Sequence, residues 1–373
     1  MDTVNQTKRY YEIDWLRVLG MLAIFLLHNA RFFDQNGWHV KNVELSFGMS
    51  VFVAVVGHFI MPLFFLLSAF AIYYALKKRT AGAFLKERVH RLLIPLGVGV
   101  LTHVMLQVYI ENISNARFSG SFWQFVPHYF DGWYAFGGNF AWMGLHLWYL
   151  LILFLFSWLA LPLFVYLNRS VNLTARLADF GTKPWGPFLF IIPLFLAEWV
   201  AGLSMDTIGR RDFGGWNALT YLVFFVSGYI LVTDERYRHA IQKVRWVSLA
   251  ISLSTVFLGY LMLVKWRLPG DNRFYLMLRA VNSWSWLLTF VGFAGVHLNF
   301  SNRFLKYANE AVLPFYVLHQ TVIVVMGYFI RDWRWTVLPK YLFLALVSFF
   351  IIMGLYELVI KRIEFMRYLF GMK

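Results

Sequence analysis

Long apolar stretches follow one another along nearly the whole chain, and they limit the possible folds more than any other feature. A helix that crosses the hydrocarbon core of a bilayer needs about 20 mostly apolar residues. About ten stretches qualify, and they lack the period-two alternation that is typical of a transmembrane β-barrel. We therefore predict an all-α, polytopic integral membrane protein with a single membrane-embedded domain over residues 1–373. The predicted spans are Trp15–Phe33, Gly48–Leu76, Leu92–Ile110, Trp142–Leu167, Pro187–Leu203, Ala218–Val232, Trp246–Val264, Val281–Leu298, Ala311–Ile330 and Tyr341–Val359.

The composition is that of a membrane protein. Hydrophobic residues make up 60% of the chain and charged residues 14%, whereas about a quarter of the residues of a soluble domain are charged. The formal net charge of +15 could indicate a nucleic acid, an anionic lipid or an anionic substrate as partner. Lys and Arg anchors on the cytoplasmic side of the membrane account for most of this charge. We therefore expect membrane lipids as partners and no nucleic acid.

The distribution of positive charge among the loops predicts the orientation. If the N-terminus lies in the cytoplasm and about ten spans follow, most Lys and Arg residues of the loops lie on the cytoplasmic side, as in other membrane proteins. We predict a multi-pass protein of the inner cell membrane with both termini cytoplasmic and an uncleaved first span. The cations on the outer side either snorkel to lipid headgroups or attract an anionic group. These cations include Arg210, Arg211, Lys265, Arg267, Arg273 and Arg279.

The first span contains ionisable residues, which are expensive inside a membrane and therefore candidates for function. Arg17 and His28 lie on one face of a helix, about 16 Å apart along its axis, and Asp14 can pair with Arg17 one turn away. Arg17 could also snorkel to the cytoplasmic surface. His28 lies deeper, where a structural hydrogen bond and a catalytic role are both possible.

Two arginines stand at the cytoplasmic end of the predicted third span. Arg88 and Arg91 share a helix face, and Lys77, Lys78, Arg79 and Lys86 are close in sequence. Guanidinium groups on one face can bind phosphate oxygens bidentately. The alternative is simple anchoring at the cytoplasmic surface.

Further polar and aromatic residues mark the ends and the middle of later spans. His146, Trp148 and Tyr149 open the fourth span, where Trp and Tyr could be interfacial belt residues. Glu310 stands at the cytoplasmic end of the ninth span and His319 near its middle. A histidine at that depth needs a hydrogen-bond partner, either in the protein or in a ligand.

Several kinds of chemistry are excluded or not indicated. The chain has no cysteine, which excludes disulfides, thiol nucleophiles and Cys-ligated metals. We find no metal-ligand spacing, no glycine-rich phosphate loop and no GxSxG motif. No metal and no permanently bound cofactor is therefore expected.

These motifs together resemble those of the type-3 membrane acyltransferase family, and within it the glucan biosynthesis protein C group. Members open with an Arg and a His separated by ten residues in the first span, as Arg17 and His28 are. In the second span Ala69 stands where the family usually has Gly. The other matching segments are Met61–Phe70, Arg88–Pro95, His146–Leu150 and Tyr316–Gln320, and Trp38–Val40 and Tyr356–Phe370 resemble the glucan group.

The resemblance implies an O-acyltransferase that moves an acetyl or succinyl group from cytoplasmic acyl-CoA to a carbohydrate hydroxyl at the outer face. His28 would be the general base or a transient acyl carrier, and Arg17 would support the donor or position His28. Arg88 and Arg91 would hold the CoA phosphates. In the glucan group the donor would be succinyl-CoA and the acceptor a periplasmic β-glucan. The residues implied along the substrate channel are His146, Trp148, Tyr149, Glu310 and His319.

Two alternatives stay open at this point. A transporter or lipid flippase would need a ligand-lined path with polar or broken helices at the midplane and an inverted repeat, and we detect no repeat. An acyltransferase could also act on a lipid-linked or other non-glucan acceptor, and the Ala69 substitution leaves the acyl group open.

The first prediction concerns topology. Because the loop charges are biased toward one side, a reporter that is active only outside the membrane should be inactive when fused after Lys373, and a cytoplasmic reporter should be active there. A fusion in the loop that contains Arg79 and Lys86 should behave in the same way. Activity of the external reporter at either position would reverse the predicted orientation.

Overall fold

Helices dominate the computed structural model, which describes residues 10–372 apart from the side chain of Ala135. In this part of the chain the only sheet is a short antiparallel hairpin, in which β1 (Gly132–Trp133) pairs with β2 (Gly137–Gly138). The predicted all-α class is confirmed. The predicted cytoplasmic termini, residues 1–9 and Lys373, lie outside the described residues.

Each predicted apolar span overlaps at least one helix, and the bounds of α11 are those that the sequence predicts. The α-helices are α1 (Tyr11–Arg31), α2 (Phe47–Leu76), α3 (Ala81–Arg88), α4 (Ile94–Leu101), α5 (His103–Ser114), α6 (Phe122–Tyr129), α7 (Trp148–Leu159), α8 (Leu161–Arg169), α9 (Val171–Gly181), α10 (Ile191–Ala201), α11 (Ala218–Val232), α12 (Glu235–Tyr260), α13 (Arg273–His297), α14 (Arg303–Ile330), α15 (Val337–Leu355) and α16 (Glu364–Leu369). Turns of π-helix occupy Val89–Leu93, Leu261–Lys265 and Tyr356–Ile360, and 3₁₀ turns occupy Tyr134–Phe136, Leu145–Leu147 and Gly186–Phe190.

The helices are long and apolar enough for a membrane protein. Among the described residues, five helical segments pass a test of length and composition for crossing a bilayer. Three pairs of helices pass it together but are bent by 42°, 49° and 110°, which makes up to eight spans. The chain is thus an all-α membrane protein, and the number of about ten spans stays a prediction.

The bent pairs have local causes in the sequence. The predicted third span breaks at Thr102, whose φ of −126° and ψ of −95° separate α4 from α5. Its hydroxyl donates to the Val98 carbonyl at 2.6 Å, a side-chain bond of the kind that bends helices. The predicted fourth span breaks between α7 and α8, next to Pro162, which cannot continue the hydrogen bonds of α7.

The chain divides into two compact units, each assembled from separate segments of the sequence. Unit 1 contains residues 10–20, Met61–Tyr73 and Tyr166–Asn309 of the described chain. Unit 2 contains Met21–Ile60, Tyr74–Val165 and residues 310–372. The single domain over residues 1–373 stays a prediction.

In unit 1 the buried carboxylate of Glu198 binds Arg211, one of the cations that the loop charges predict for the outer side. Arg211 Nη2 lies 2.5 Å from Glu198 Oε2, and Glu198 Oε1 accepts from Asn217 at 2.9 Å and from Thr220 at 2.6 Å. Arg210 pairs with Asp212 at 2.8 Å. These two arginines therefore bind acids of their own unit, a role that neither snorkelling nor attraction of an external anion describes.

Unit 2 packs around α14, the most thoroughly buried of the five long spans, with 72% of its apolar window inside the protein. On one side, Phe315 packs edge-on against Phe25 of α1, with ring centroids 5.3 Å apart. Phe349 of α15 lies 5.8 Å from Phe315. The polar side chains described below reach α14 from other directions.

A close helix contact within unit 1 gives the second prediction. A Cβ atom on Gly228 of α11 would lie 2.6 Å from the Leu66 carbonyl oxygen of α2, and small residues at such crossings let helices approach. Gly228→Ala should cost about 1–3 kcal/mol of stability, measured as thermal unfolding in detergent. Gly354→Ala in α15 is the matched control, because a Cβ there meets nothing within 4 Å and alanine favours helix. An unchanged midpoint for Gly228→Ala would contradict this packing.

Candidate active site

Two histidines meet in unit 2. His28 Nδ1 lies 2.8 Å from His319 Nε2, and the two rings are 5.0 Å apart between centroids. The His319 side chain is completely buried, whereas part of the His28 side chain is accessible. His28 is thus the more exposed member of the pair.

The hydrogen bonds assign the tautomers of both rings when they are neutral. The backbone carbonyl of Tyr316 can only accept, so His319 Nδ1–H donates to it, at 2.6 Å. His319 Nε2 then has a lone pair and accepts from His28 Nδ1–H. The remaining nitrogen of His28, Nε2, is consequently unprotonated. A lone pair on an accessible imidazole nitrogen is what a general base or a nucleophile needs.

A third histidine packs against this pair. His146 lies edge-on to His319 at 5.0 Å, and its Nε2–H donates to the Val317 carbonyl at 3.1 Å. The Tyr316 hydroxyl donates to the His146 carbonyl at 2.5 Å, and Tyr149 lies 6.0 Å from the Tyr316 ring. His146 Nδ1 is buried and has no hydrogen-bond partner among the described residues.

The turn before α7 aims His146 at α14. Gly144 has a φ of +76°, and a Cβ there would lie 2.8 Å from Leu147 Cβ and 2.9 Å from Leu96. Glycine is the residue that adopts this left-handed conformation without strain and leaves space for those neighbours. The 3₁₀ turn Leu145–Leu147 follows, and His146 lies at its centre.

A second polar chain runs beside the histidine pair. His39 Nδ1 donates to Glu111 Oε2 at 2.5 Å, and the Tyr134 hydroxyl donates to the same oxygen at 2.7 Å. On its other side, His39 Nε2 accepts from Gln320 Nε2 at 3.0 Å. Gln320 also donates to Gln107 at 3.1 Å. His39 and His28 therefore bond to consecutive residues of α14, Gln320 and His319.

The arginine pair at the predicted cytoplasmic end of the third span lies at a π-helical turn. Arg88 ends α3 and Arg91 lies within Val89–Leu93, so the spacing of a regular α-helix does not hold there, and π-turns often occur at functional sites. Arg88 lies over the Phe84 ring at 4.9 Å. Arg91 is half-buried, and its guanidinium forms no hydrogen bond or ion pair with the residues that the structure describes.

The other predicted site residues make separate contacts. Arg17 belongs to unit 1, where it lies 3.6 Å from Asp14 and donates to the Leu67 carbonyl at 3.3 Å. Glu310 is more than a third exposed and lies 3.9 Å from Arg367. Trp148 is buried and contacts the Tyr149 ring. The structure thus brings together His28, His319, His146 and Tyr149, and it places Arg88, Arg91 and Glu310 elsewhere in unit 2.

His39, Glu111 and Gln320 belong to this arrangement, although none of them is among the residues that the sequence predicts for the site. Glu111 is the residue directly after the predicted third span. It is therefore not among the ionisable residues inside spans, which are the candidates for function. His39 was noted only as part of a family-like segment. Across residues 10–372 no group of three or more His, Asp or Glu side chains is arranged to hold a metal ion.

Comparisons with known proteins show which family and relatives the chain is similar to. The family described as Acyltransferase domain matches residues 10–357. Proteins called Glucans biosynthesis protein C from Salmonella paratyphi B (strain ATCC BAA-1250 / SPB7) and Salmonella enteritidis PT4 (strain P125109) are each 22% identical to this chain over 395 residues. The alignment covers 100% of this chain and 97% of each relative. No solved structure matches this chain.

Proposed function

Because the chain belongs to the Acyltransferase domain family, we propose that it moves an acyl group from cytoplasmic acyl-CoA to a carbohydrate hydroxyl at the outer face, with His28 as the catalytic base. The membrane acyltransferase class follows from the family and the fold. The donor, the acceptor and the role of His28 are our proposal. Membership of an enzyme family also favours this function over a transporter or flippase.

The observation that supports the proposal most is the hydrogen-bond chain from His28 through His319 to the Tyr316 carbonyl. These hydrogen bonds leave a lone pair on His28 Nε2 and orient the His28 ring. A histidine with a purely structural role would be expected to use both nitrogens within the protein. The partial accessibility of His28 is consistent with contact to a substrate.

The proposed reaction has a simple proton balance. The acceptor hydroxyl attacks the thioester carbonyl carbon while its proton moves to His28 Nε2. The C–S bond then breaks, and the CoA thiolate leaves and receives the proton from His28. His319 Nε2 accepts the Nδ1–H of His28 throughout and stabilises the imidazolium. In the alternative sequence, His28 Nε2 attacks first and carries the acyl group before the acceptor arrives.

Arg88 and Arg91 are the proposed binding site for the CoA phosphates. The Arg91 guanidinium forms no bond with the described residues, which leaves its fork of donors for phosphate oxygens. Arg88 is held against the Phe84 ring. We place this end of unit 2 on the cytoplasmic side because the loop charges predict it.

The remaining assignments follow the relatives. The proteins called Glucans biosynthesis protein C suggest a glucan acceptor, and we propose an inner-membrane location for this chain. Succinyl and acetyl groups are both candidate acyl groups, and a lipid-linked or other non-glucan acceptor is the alternative. Tyr149, Trp148, His146, Glu310 and His319 are proposed to line the substrate channel, and Arg17 to support the donor. No permanently bound cofactor is needed, since acyl-CoA is a co-substrate.

The third prediction tests the donor site. Arg88→Ala and Arg91→Ala should each weaken acyl-CoA binding by about 1.5–3 kcal/mol, the value of a hydrogen bond to a charged group. This corresponds to a roughly 10- to 150-fold higher Kd, measured by calorimetry on purified protein. Arg91→Lys should restore binding only in part, because an ammonium lacks the planar fork.

Lys86→Ala is the control for the donor site, because it removes an exposed charge from the same helix and should change the Kd little. If the double variant at positions 88 and 91 binds acyl-CoA as the wild type does, these arginines are anchors at the membrane surface and the donor site lies elsewhere.

The fourth prediction tests the base. His28→Ala should leave the protein folded and able to bind acyl-CoA, and should lower acyl transfer at least ~100-fold, as expected for a positioned acid–base group. His319→Ala and His146→Ala should lower acyl transfer less than His28→Ala does, because these two histidines act by orienting their neighbours. The measurement is turnover in detergent, together with thermal stability and CoA binding for each variant.

His128→Ala is the matched control, because this histidine is exposed and pairs with Asp131 at 3.3 Å, away from the histidine pair. Near-normal transfer by a stable His28→Ala variant would remove His28 from the mechanism. Loss of transfer that is accompanied by unfolding would make His28 a structural residue.

A further inference from the structure

The segment between α1 and α2, residues 32–46, is not used by the proposed chemistry, yet it lies against the histidine pair. We call it the Trp38 loop. Trp38 is half-buried, and its ring is parallel to the His28 ring, with an angle of 10° between the planes and 6.4 Å between the centroids. The same ring lies 5.5 Å from His39. Trp38 is thus the loop residue that flanks the proposed catalytic base.

Backbone bonds and a lysine fix the base of the Trp38 loop. The Asn42 amide donates to the Phe32 carbonyl at 2.9 Å, and the Ser46 amide donates to the Phe33 carbonyl at 2.8 Å. Lys340 of α15 is fully buried, and its Nζ donates to Asn42 Oδ1 at 2.6 Å. A buried ammonium held in this way ties the loop to α15.

A buried carboxylate fixes the first part of the loop. Asp34 is fully buried and accepts from Arg31 and, at 2.7 Å, from Lys41 Nζ. Lys41 Nζ also donates to the Arg31 carbonyl at 2.6 Å. Burial lowers the pKa of Lys41, and the Asp34 carboxylate opposes this shift. Asp34 thus binds the last residue of α1 and a lysine of the loop at once.

His39 fixes the tip of the loop. Its Nδ1–H donates to Glu111 and its Nε2 accepts from Gln320, so both ring nitrogens are used within the protein. His39 is therefore a structural support for its neighbour Trp38. Gln320, which binds His39, is the neighbour of His319, which binds His28.

The Trp38 side chain differs from its neighbours in the loop. Within residues 10–372, its indole N–H has no hydrogen-bond partner, although loop residues on both sides of it are bound. An indole offers a flat apolar face together with one donor. A pyranose ring presents the complementary surface, with C–H groups on its faces and hydroxyls at its edge.

We propose that Trp38 is the platform on which a sugar ring of the acceptor lies, held beside His28 by the His39–Glu111 pair. This inference rests on the proposed function. The Trp38 loop joins the first span to the second, so it lies on the side of the membrane opposite the predicted cytoplasmic N-terminus. That is the side from which a carbohydrate acceptor approaches. The loop positions around Trp38, Gln35 to Gly37, are exposed, which gives the sugar access.

The fifth prediction compares acceptor and donor for Trp38→Leu. We expect an about tenfold higher KM and Kd for the acceptor, the value of one lost aromatic contact, and an unchanged KM for acyl-CoA. The probes are a β-linked glucose oligosaccharide and succinyl-CoA, with the purified full-length protein in detergent. Trp38→Phe keeps a flat ring and should recover part of the acceptor affinity. Trp123→Leu is the control, because that side chain is 79% exposed and should leave both KM values unchanged.

Glu111→Ala tests the support of the platform. Like Trp38→Leu, this change should raise the acceptor KM. In the double variant the two effects should not add, because both changes remove the same interaction. Additive effects would show that His39 and Glu111 do not act through Trp38. Thermal unfolding of each variant shows whether it is still folded. If Trp38→Leu is unstable, the acceptor KM of Trp38→Phe, which preserves the packing, tests the platform instead.

The two proposals fail in different ways. If His28→Ala abolishes transfer while Trp38→Leu and Trp38→Phe bind the oligosaccharide as the wild type does, the platform is wrong and the catalytic base stands. If Trp38→Leu raises the KM for acyl-CoA and leaves the acceptor KM unchanged, Trp38 contacts the acyl group and the platform is also wrong. If His28→Ala retains transfer, the proposed mechanism fails, whereas weaker oligosaccharide binding to Trp38→Leu would still support the platform.

Discussion

A polar group in the interior of a membrane protein needs a partner in the protein, because the hydrocarbon around it supplies none. In unit 2 this requirement is met at α14. Residues Val317 to Gln320 bond to histidines of four other elements, through one backbone carbonyl and two side chains. Val317 alone accepts from His146 and from His103, the latter at 2.9 Å. The positions of these histidines depend on this one stretch of helix.

The same requirement determines the chemistry that the site can perform. Each imidazole that donates to a backbone carbonyl has its tautomer assigned by that bond. For His319 this leaves an acceptor facing His28, and for His28 it leaves a lone pair on Nε2. His39 differs, because a carboxylate and an amide use both of its nitrogens. The two histidines that bond to neighbouring residues of α14 therefore differ: His28 keeps one nitrogen for the proposed reaction, whereas His39 uses both within the protein.

Unit 1 meets the requirement by a different route. Its buried carboxylate Glu198 accepts from an arginine, an amide and a hydroxyl. Breaking such a buried pair by removing one partner is costly, since it leaves an uncompensated charge. Arg279 lies 3.9 Å from the Trp216 ring and donates to the Gly215 carbonyl. These interactions order the segment before α11, and they contain no accessible group with an unshared lone pair comparable to His28.

The sequence by itself determined the all-α membrane class, the positions of the helices and the family. Long apolar stretches leave the backbone few alternatives to helix in a bilayer, so α11 has its predicted bounds. The sequence also identified His28 and His319 as candidates, because ionisable groups are costly at that depth. Only the tertiary structure decided that they bond to each other, since they are 291 residues apart. It likewise brought His39 to Glu111 and laid Trp38 beside His28, because a loop is positioned by the helices that it contacts and no local periodicity records those contacts.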